Sequence, residues 1–430
     1  MTLFTKLKKS TFINSTLKLS SGLMSAQLLL ILFSPVLTRL YTPIELGVYS
    51  SVLAIAAFAT PVINGRFEFL IVSAKNDKQA KNFAFVSLLI CTIITAVIIL
   101  IFLFLSNSVL YEIKNIGGFV WFIIPVLYLN GLINIFNQFN IRLKQYGDLS
   151  KITFVRSIFQ ISSQTVFGLL HLGTLGLLLS ILIGVGVGLR RQILISTGKL
   201  KNLISVEISE VKNIVRENIK QIYVSVPASL INSIANNLMV PIVLYLFGAV
   251  ASGYYFLANR ILAVPIQLLG STISKVYYEK ACRERDKEGS CKKTFNTTVL
   301  LSSTILLPVF IILYFYSEPI FKFIFGEEWI KSAIIVKMLI PFFFIRGVTL
   351  SIIMTPYVYK LQYWDLVNQI IIIFNLIISL AITILNNSNM MEFFKYYSYI
   401  GSFVYIIVLA LCWKLSRNVK GIEGQEKGLS

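Results

Sequence analysis

The chain alternates between long apolar segments and short polar stretches. Twelve apolar segments each approach the roughly 20 helical residues needed to cross a hydrocarbon core of about 30 Å. We therefore predict an all-α integral membrane protein with about twelve transmembrane helices. The predicted helices cover residues 12–35, 44–66, 83–105, 119–139, 151–171, 174–193, 221–247, 250–274, 296–316, 333–356, 365–385 and 393–414.

Two sequence features return after six predicted helices, which indicates an internal duplication. Residues 145–149 read QYGDL and residues 362–366 read QYWDL, 217 positions later. Another set recurs 206 positions apart, where Pro35, Leu40, Tyr41, Gly47 and Tyr49 return as Pro241, Leu246, Phe247, Gly253 and Tyr255. Because six is even, we predict two six-helix bundles related by a parallel repeat. Chance similarity between apolar helices is the alternative explanation.

The predicted repeat divides the chain into three parts. Residues 1–194 form an N-terminal six-helix bundle, residues 195–220 a cytoplasmic connector, and residues 221–430 a C-terminal six-helix bundle with a cytoplasmic tail. Apolar residues recur at helical spacing along the connector, among charged ones. This pattern is typical of an amphipathic helix on the inner leaflet, and equally of a solvated helix packed on the loop ends.

The composition agrees with a membrane protein, since 56% of the 430 residues are hydrophobic and the mean hydropathy is +0.78. The net charge of +20 is unevenly distributed. With a cytoplasmic N-terminus, 31 lysines and arginines fall in inner segments and 6 in outer ones, as the positive-inside rule requires. We therefore predict that both termini are cytoplasmic and that the basic face attracts anionic lipid, not nucleic acid.

No motif for catalysis, metal binding or cofactor binding is recognisable in the sequence. The four cysteines are scattered, and His171 has no second ligand nearby in the sequence, so neither disulfides nor a zinc site are indicated. A phosphate-binding glycine-rich loop is also missing. We predict a protein that is not an enzyme and uses no metal or cofactor. An ion gradient (H⁺ or Na⁺) or the membrane potential is the expected energy source.

Polar side chains recur on single faces of four predicted helices. Two of these stripes consist of Asn130, Asn134 and Asn137, and of Ser225, Ser229, Asn232 and Asn236. Two further stripes contain an arginine, and consist of Arg156, Gln160 and Ser163, and of Arg260, Gln267, Ser271 and Ser274. A single stripe of this kind commonly holds neighbouring helices together. Four in one chain favour a hydrated cavity.

Arg260 and Arg346 are predicted to lie at membrane depth. An arginine there costs roughly 2.5–3.5 kcal/mol on insertion scales, so it usually faces water or a partner. Arg66 is predicted at the inner end of the second helix, where it can snorkel and pair with Glu68, and Arg39 at the outer mouth. No carboxylate falls in the middle of a predicted helix. The sequence therefore predicts a central cationic cavity and an anionic cargo, since guanidinium groups match phosphate oxygens.

Four motifs carry a resemblance to a known family. They are LTRLYTPIELGVYS (37–50), GRFEFLIVSAKNDKQA (65–80), GYYFLANRILAVP (253–265) and FGEEW (325–329). With them the whole chain resembles the Wzx-type polysaccharide flippases of the multidrug/oligosaccharidyl-lipid/polysaccharide exporter superfamily. The chain departs from the family pattern in reading Arg66-Phe67-Glu68 where Arg-Tyr-Glu is usual, and in having Ala74 where proline is usual. The resemblance implies two six-helix bundles around a central cavity.

The resemblance also implies a function. The expected protein is a flippase of the bacterial inner membrane that moves undecaprenyl-diphosphate-linked repeat units of O-antigen or another surface polysaccharide to the outer leaflet by alternating access. The residues expected to contact the cargo are Arg260, Arg66, Arg346, Arg39, Asn130, Asn134, Asn137, Asn232 and Asn236. Membrane lipids, a polysaccharide polymerase and a chain-length regulator are the expected partners.

Three alternatives stay open at the level of sequence. A drug or small-anion antiporter similar to MATE transporters would share the architecture. A membrane polymerase or ligase for the same glycans would need a large outer loop, and none is predicted. A non-catalytic membrane subunit of a glycan-assembly complex would not need arginines in a cavity.

Overall fold

The computed structural model describes residue 22 and residues 24–105, 116–200, 214–361 and 364–417. Every regular element in these residues is a helix, so the predicted all-α fold is confirmed. The start of the helix predicted at 12–35, much of the connector predicted at 195–220 and the tail beyond residue 417 lie outside the described residues.

A helical stretch at residues 24–32 opens the described part of the chain. It is followed by α1 (Ser34–Leu40), α2 (Pro43–Ala59), α3 (Leu70–Ser73), α4 (Asp77–Leu105), α5 (Ile123–Arg142), α6 (Tyr146–Leu169) and α7 (Gly173–Leu200). Short 3₁₀ helices at Phe67–Phe69 and Gly117–Phe122 lead into α3 and α5.

The second half of the chain continues with helices of similar length. They are α8 (Ile219–Asn237), α9 (Met239–Glu288), α10 (Lys292–Ile324), α11 (Ile330–Ser351), α12 (Thr355–Val358), α13 (Trp364–Leu385) and α14 (Met390–Ser416). The 50-residue α9 is broken at Gly248, where φ is 84° and ψ is 178°. The sequence predicts a helix break between residues 247 and 250, and this prediction is confirmed.

Eight helices in the described residues are long and apolar enough to cross a membrane. One of them, the 45-residue stretch Tyr223–Gln267, contains the break at Gly248 and is long enough to cross twice. The bent pair α1 and α2, at 119° to each other, is a further candidate span. The chain is therefore a multi-pass membrane protein, and the exact number of twelve helices stays a prediction.

Two helix starts follow directly from the local sequence. Thr42 precedes α2 and accepts a hydrogen bond from the backbone N–H of Glu45, whose carboxylate accepts from the Thr42 N–H at 2.8 Å. Asn389 and Glu392 form the same reciprocal capping box before α14. Such boxes satisfy N–H groups that a helix start leaves unpaired.

The ends of the first two predicted helices differ from the structure. The first continues to Leu40 instead of ending at residue 35, and α2 ends at Ala59 instead of residue 66. Residues 60–66 form turns, in which Gly65 and Arg66 have φ values of 62° and 66°. This left-handed conformation cannot continue a right-handed helix. The predicted end of the second helix is therefore wrong by seven residues.

The helices form two compact units, Met1–Gly253 and Tyr254–Ser430. In the first unit, α7 packs against α6 and α5, and α5 also packs against α4. In the second unit, α11 packs against both α10 and α14, and α13 packs against α14. The domain boundaries predicted at residues 194 and 221 come from the sequence repeat, whereas these two units are defined by contacts between helices. The predicted boundaries therefore stay a prediction.

The helices α2 and α9 cross at two glycines that the repeat pattern pairs with each other. A Cβ atom on Gly47 would lie 1.9 Å from the carbonyl oxygen of Ala249, and one on Gly253 would lie 1.9 Å from that of Pro43. The sequence separation is 206 for Gly47 and Gly253, and also for Pro43 and Ala249. The contact is thus reciprocal, as a two-fold axis through the crossing requires. This geometry supports the predicted duplication.

Polar contacts group the predicted cytoplasmic segments at one end of each unit. In the first unit, the guanidinium of Arg142 donates to the Ala74 carbonyl at 2.5 Å and pairs with Asp77 at 3.4 Å. In the second unit, the Cys291 N–H donates to the Ser416 carbonyl at 3.0 Å. These contacts agree with the predicted alternation of loops. Which end is cytoplasmic stays a prediction.

Candidate functional site

The nine residues predicted to contact cargo are distributed over both units, and each unit is described by itself. The first unit holds Arg39, Arg66, Asn130, Asn134, Asn137, Asn232 and Asn236, and the second holds Arg260 and Arg346. Their role in binding stays a prediction. The structure shows what each side chain contacts, and these contacts decide which are available to a ligand.

Arg66 lies in the turn between α2 and α3. Its φ of 66° belongs to a region that non-glycine residues occupy only where the surrounding structure imposes it. The guanidinium carbon lies 4.2 Å from the centroid of the Phe69 ring, and the Nε atom is buried without a hydrogen-bond partner in the described residues. Glu68 Oε2 is also unpartnered there. The ion pair between Arg66 and Glu68 expected from the sequence is therefore not formed.

Glu68 is a buried carboxyl that the sequence analysis placed only at a helix end. It is 2% exposed, and it lies in the connection between two candidate spans. Burial disfavours the charged form and raises the pKa of Glu68 to about 7, although its own backbone N–H and Arg66 oppose the shift. A carboxyl with this pKa can bind and release a proton near neutral pH.

Two asparagines of α5 join this helix to neighbouring parts of the first unit, one to the turn after α2 and one to α7. The Asn134 amide donates to the Thr60 carbonyl at 3.3 Å and to Asn64 Oδ1 at 3.5 Å. Asn137 Oδ1 accepts a hydrogen bond from Gln192 Nε2 at 2.6 Å. Interhelical contacts of this kind are the common use of amides in membranes. In the conformation described here, both side chains are engaged within the protein.

The other predicted asparagines are more accessible. Asn130 is half-buried on α5, whereas Asn232 and Asn236 are exposed on α8. The Asn236 amide donates to both the carbonyl oxygen and Oδ1 of Asn232, at 2.8 and 2.7 Å. The α8 stripe is thus the predicted polar stripe with the most exposed amide groups.

Arg346 lies in the second unit among aromatic side chains. The phenol groups of Tyr255, Tyr397 and Tyr405 are close enough to interact with it electrostatically. Its guanidinium carbon is 5.8 Å from the centroid of the Phe342 ring. The Nε atom is buried and has no hydrogen-bond partner in the described residues. We refer to these five residues as the Arg346 cluster.

Aromatic packing fixes the geometry of the Arg346 cluster. The Phe342 ring lies 5.2 Å from Tyr397 and 5.6 Å from Tyr405, centroid to centroid. Tyr255 stacks on Phe394 at 5.4 Å with an interplanar angle of 13°. The sequence analysis identified Tyr255 only as a repeat position and missed Tyr397 and Tyr405. Their spacing of eight residues, which places both on one face of α14, was the available signal.

The remaining predicted arginines have different surroundings. Arg260 is half-buried on α9, with its guanidinium carbon 5.9 Å from the centroid of the Phe256 ring. In the polar stripe predicted for this helix, Gln267 is exposed and Ser274 is buried. Arg39 is exposed in the last turn of α1. The structure therefore leaves Arg39 accessible and Arg260 partly accessible.

Arg66 and Arg346 share one chemical property. Neither forms an ion pair with a carboxylate in the described residues, and each leaves a buried nitrogen without a partner. A guanidinium in a low-dielectric environment favours an anionic ligand, and its planar fork fits phosphate oxygens. Each of the two units thus contains a group suited to recognising an anion.

The fold of the chain is similar to that of solved transporters. It aligns with a multidrug resistance MATE family transporter of the MOP superfamily in its inward-facing conformation. That alignment has 15% identity and a TM-score of 0.62, and it covers 97% of this chain and 96% of that one. The lipid II flippase MurJ, in an inward closed conformation, aligns at 15% identity with a TM-score of 0.72, over 92% of this chain and 87% of that one. At these identities the comparison shows the fold alone.

Sequence comparison identifies the family. No curated protein matches the chain. A family model described as polysaccharide biosynthesis protein matches residues 36–334, well over half of the 430 residues. The matched range begins in α1, includes both glycines of the α2–α9 crossing and ends in α11, so the family resemblance carried by the sequence motifs is confirmed. The chain belongs to the family of polysaccharide biosynthesis proteins and has the fold of the MOP-superfamily transporters.

Proposed function

We propose that the protein is a flippase for undecaprenyl-diphosphate-linked oligosaccharide repeat units of O-antigen or another surface polysaccharide. It moves them by alternating access from the cytoplasmic to the outer leaflet of the bacterial inner membrane, with both termini cytoplasmic. The family supports a glycan cargo, and the likeness in fold to a lipid II flippase supports one linked to a lipid. A polymerase and a chain-length regulator then use the exported unit.

The observation that carries this proposal is the Arg346 cluster. Its arginine is not neutralised by any described carboxylate, whereas a drug cation would require the opposite charge. Hydrogen bonds from a charged donor to a charged acceptor are worth about 1.5–3 kcal/mol each. Three phenol groups beside the guanidinium provide further donors for phosphate or sugar oxygens. A pyrophosphate carrying a glycan therefore suits this cluster chemically.

In this proposal the predicted residues divide by chemistry. The arginines bind the diphosphate at successive stages of transport, and the amides bind sugar hydroxyls. Asn134 and Asn137 exchange their present partners for cargo during the conformational change. The arginines are Arg260, Arg66, Arg346 and Arg39, and the amides are Asn130, Asn134, Asn137, Asn232 and Asn236.

The direct test is deletion of the gene followed by analysis of lipid-linked glycans. We expect one undecaprenyl-diphosphate-linked glycan to accumulate on the inner leaflet and its polymer to disappear from the cell surface. An unchanged surface polysaccharide together with an unchanged lipid-linked pool contradicts the proposal.

Substitutions at Arg260 test phosphate recognition in the same strain. Arg260→Lys keeps the positive charge and loses the planar fork, and Arg260→Ala loses both. We expect the alanine variant to abolish glycan export at normal membrane levels and the lysine variant to retain part of it. Normal export by Arg260→Ala contradicts the assignment, and loss of the protein from the membrane assigns a structural role instead.

The likeness in fold to a multidrug transporter favours one alternative, a drug or small-anion antiporter. The two functions differ in the phenotype of the deletion strain. A flippase deletion changes surface polysaccharide and leaves drug susceptibility unchanged, whereas deletion of an antiporter does the reverse. A non-catalytic subunit of a glycan-assembly complex predicts that the cavity arginines tolerate substitution by alanine.

The buried Glu68 suggests a source of energy for transport. A carboxyl with a pKa of about 7 alternates between protonated and charged forms near neutral pH. Among H⁺, Na⁺ and the membrane potential, this group favours coupling to H⁺.

A further inference from the structure

A groove of about 400 Å³ lies between the end of α9 and the start of α10, within the second unit. None of the residues assigned to cargo line it. Its lining residues recur every three or four positions, so the groove follows one face of each helix. They are Ile273, Val276, Tyr277, Lys280, Lys293, Thr294, Thr297, Thr298 and Leu301.

The two ends of this groove differ in polarity. Lys280 and Lys293 lie at the end near the loop that joins the two helices. Ile273 and Leu301 lie about two helical turns further along. Leu301 is 50% exposed, and the adjacent Leu300, which extends this apolar surface, is 69% exposed. An apolar surface of this kind faces lipid tails in a membrane protein. The groove thus has the shape and polarity of an amphiphile, with a cationic head end and an apolar tail end.

The lysines at the head end are available to an anion. No described carboxylate forms an ion pair with Lys280. Lys293 pairs with Glu288 at 2.9 Å, but the two side chains are 76% and 47% exposed, so the pair is weak and can exchange. Glu284 accepts hydrogen bonds from the backbone N–H groups of Lys293 and Thr294 with its two oxygens, at 2.8 and 2.7 Å. Its carboxylate is therefore already engaged.

The threonines at this end supply hydrogen-bond acceptors. Thr297 Oγ1 donates to the Lys293 carbonyl, and Thr298 Oγ1 donates to the Thr294 carbonyl, both at 2.8 Å. Because each hydroxyl has one hydrogen, its oxygen keeps lone pairs that can accept from a ligand hydroxyl. A head group with one phosphate and free hydroxyl groups therefore complements the lysines and threonines together.

We propose that this groove binds a phosphatidylglycerol molecule of the surrounding bilayer. Its phosphate lies on Lys280 and Lys293, its glycerol hydroxyls reach Thr297, and an acyl chain follows Ile273 and Leu301. Basic pockets between transmembrane helices are established sites for anionic head groups. The site is distinct from the arginines assigned to cargo, so it does not depend on the proposed function.

Native mass spectrometry of the full-length protein with added phosphatidylglycerol or phosphatidylcholine tests this proposal. Each lysine near a membrane surface contributes about 1 kcal/mol to binding an anionic lipid, which is about a five-fold change in affinity. We therefore expect the double variant Lys280→Gln/Lys293→Gln to bind phosphatidylglycerol about 30-fold more weakly. Lys275 and Lys287 are exposed on the same helix outside the groove. The matched double variant Lys275→Gln/Lys287→Gln should bind as the wild type does.

A substitution at the apolar end distinguishes lipid binding in the groove from lipid binding to a charged surface. Leu301→Trp fills the groove without changing charge, and we expect it to weaken phosphatidylglycerol binding at least ten-fold while the protein stays monodisperse. Three outcomes overturn the proposal: equal binding of phosphatidylcholine, equal loss in the Lys275/Lys287 control, or wild-type binding by Leu301→Trp. Displacement of phosphatidylglycerol by undecaprenyl phosphate at lower concentration overturns the choice of occupant.

Discussion

Arg346 is half-buried with a fully buried Nε atom, and its described neighbours are phenols and an aromatic ring, with no carboxylate. Keeping an uncompensated charge away from water costs several kcal/mol and destabilises the fold. Stability alone therefore does not explain this arginine. We expect Arg346→Met, of similar length and no charge, to unfold at the same or a higher temperature than the wild type and to lose glycan export. Thermal unfolding in one detergent and surface polysaccharide in cells are the measurements.

A control for this variant is Tyr405→Phe, which removes one phenol and keeps the ring and the arginine. It should retain part of the export activity. If Arg346→Met exports glycan normally, the charge is not used for cargo. If it unfolds more than a few degrees lower, the arginine has a structural role.

Glu68 should make both stability and transport depend on pH. Its pKa rises from an ordinary value of 4.5 in the unfolded chain to about 7 in the fold. Between these values the folded protein binds more protons, so stability falls as the pH rises through this window, by on the order of 3 kcal/mol in total. Glu68→Gln keeps the shape and removes the titration. We expect this variant to lose the pH dependence of unfolding between about pH 5 and pH 8, and to lose H⁺-coupled transport.

The exposed carboxyl of Glu279, on α9, offers the matched control. Glu279→Gln should keep the wild-type pH dependence in both measurements. A Glu68→Gln protein with an unchanged pH profile of export excludes this residue as the coupling group.

At the level of residues, the sequence located the arginines but not their surroundings. Arg346 was recognisable because a charge inside an apolar segment is rare. The phenols that surround it come from helices more than a hundred positions apart in sequence, so only tertiary packing brings Tyr255 and Tyr397 together. The buried Glu68 directly follows the left-handed turn at Gly65 and Arg66. Arginine in such a conformation has no sequence signature.

At the level of helices, the close approach of α2 and α9 leads to a specific prediction about stability. Gly47→Ala would bring a Cβ atom to 1.9 Å from a carbonyl oxygen, so the helices must separate. Overpacking of this kind usually costs about 1–3 kcal/mol. We expect Gly47→Ala and Gly253→Ala each to lower the unfolding temperature, and the double variant to lower it by less than the sum, because both substitutions separate the same pair of helices.

Gly186 on α7 provides the opposite case, since a Cβ atom there meets nothing within 4 Å. Alanine is a better helix former than glycine by roughly 0.5–1 kcal/mol. Gly186→Ala should therefore stabilise the protein slightly. Equal effects of alanine at Gly47 and Gly186 contradict the close approach of the two helices.

Helix positions were largely predictable, and helix ends were less so. The predicted helices at 296–316 and 393–414 lie within α10 and α14, because apolar segments of this length have few alternatives in a membrane protein. The end of α2 was wrong because the apolar pattern resumes at Val62 and Ile63, although Pro61 lies just beyond the helix end, where proline is common. The deciding feature is the backbone at Gly65, which hydropathy does not report.

For the whole molecule, the predicted internal duplication would explain the reciprocal glycine contact. Gly47 and Gly253 would be equivalent positions in the two repeats, as would Pro43 and Ala249. Gly47 approaches Ala249 and Gly253 approaches Pro43, so the same contact is made twice. The sequence could predict the repeat from this spacing, but not that equivalent residues meet. In a structure determined in a lipid bilayer, residues 12–193 should superpose on residues 221–414 with the helices in the same membrane orientation. An inverted relation contradicts the parallel repeat.

The orientation of the whole molecule in the membrane is testable with single cysteines. In the first unit, Arg142 ties the loop around Asp77 to the end of α5. The segments joined in this way must therefore label from the same side. The positive-inside rule assigns that side to the cytoplasm, because basic residues in short loops resist translocation.

The four native cysteines are free, so a variant without them is the appropriate starting protein. Lys78→Cys, Lys151→Cys and Lys287→Cys introduce exposed thiols in segments predicted to be cytoplasmic, and His171→Cys one on the opposite side. In intact cells an impermeant thiol reagent should label only the cysteine at position 171, and permeabilisation should expose the other three. Labelling at position 287 from outside would reverse the assigned orientation of the second unit, and with it the direction of transport proposed for the protein.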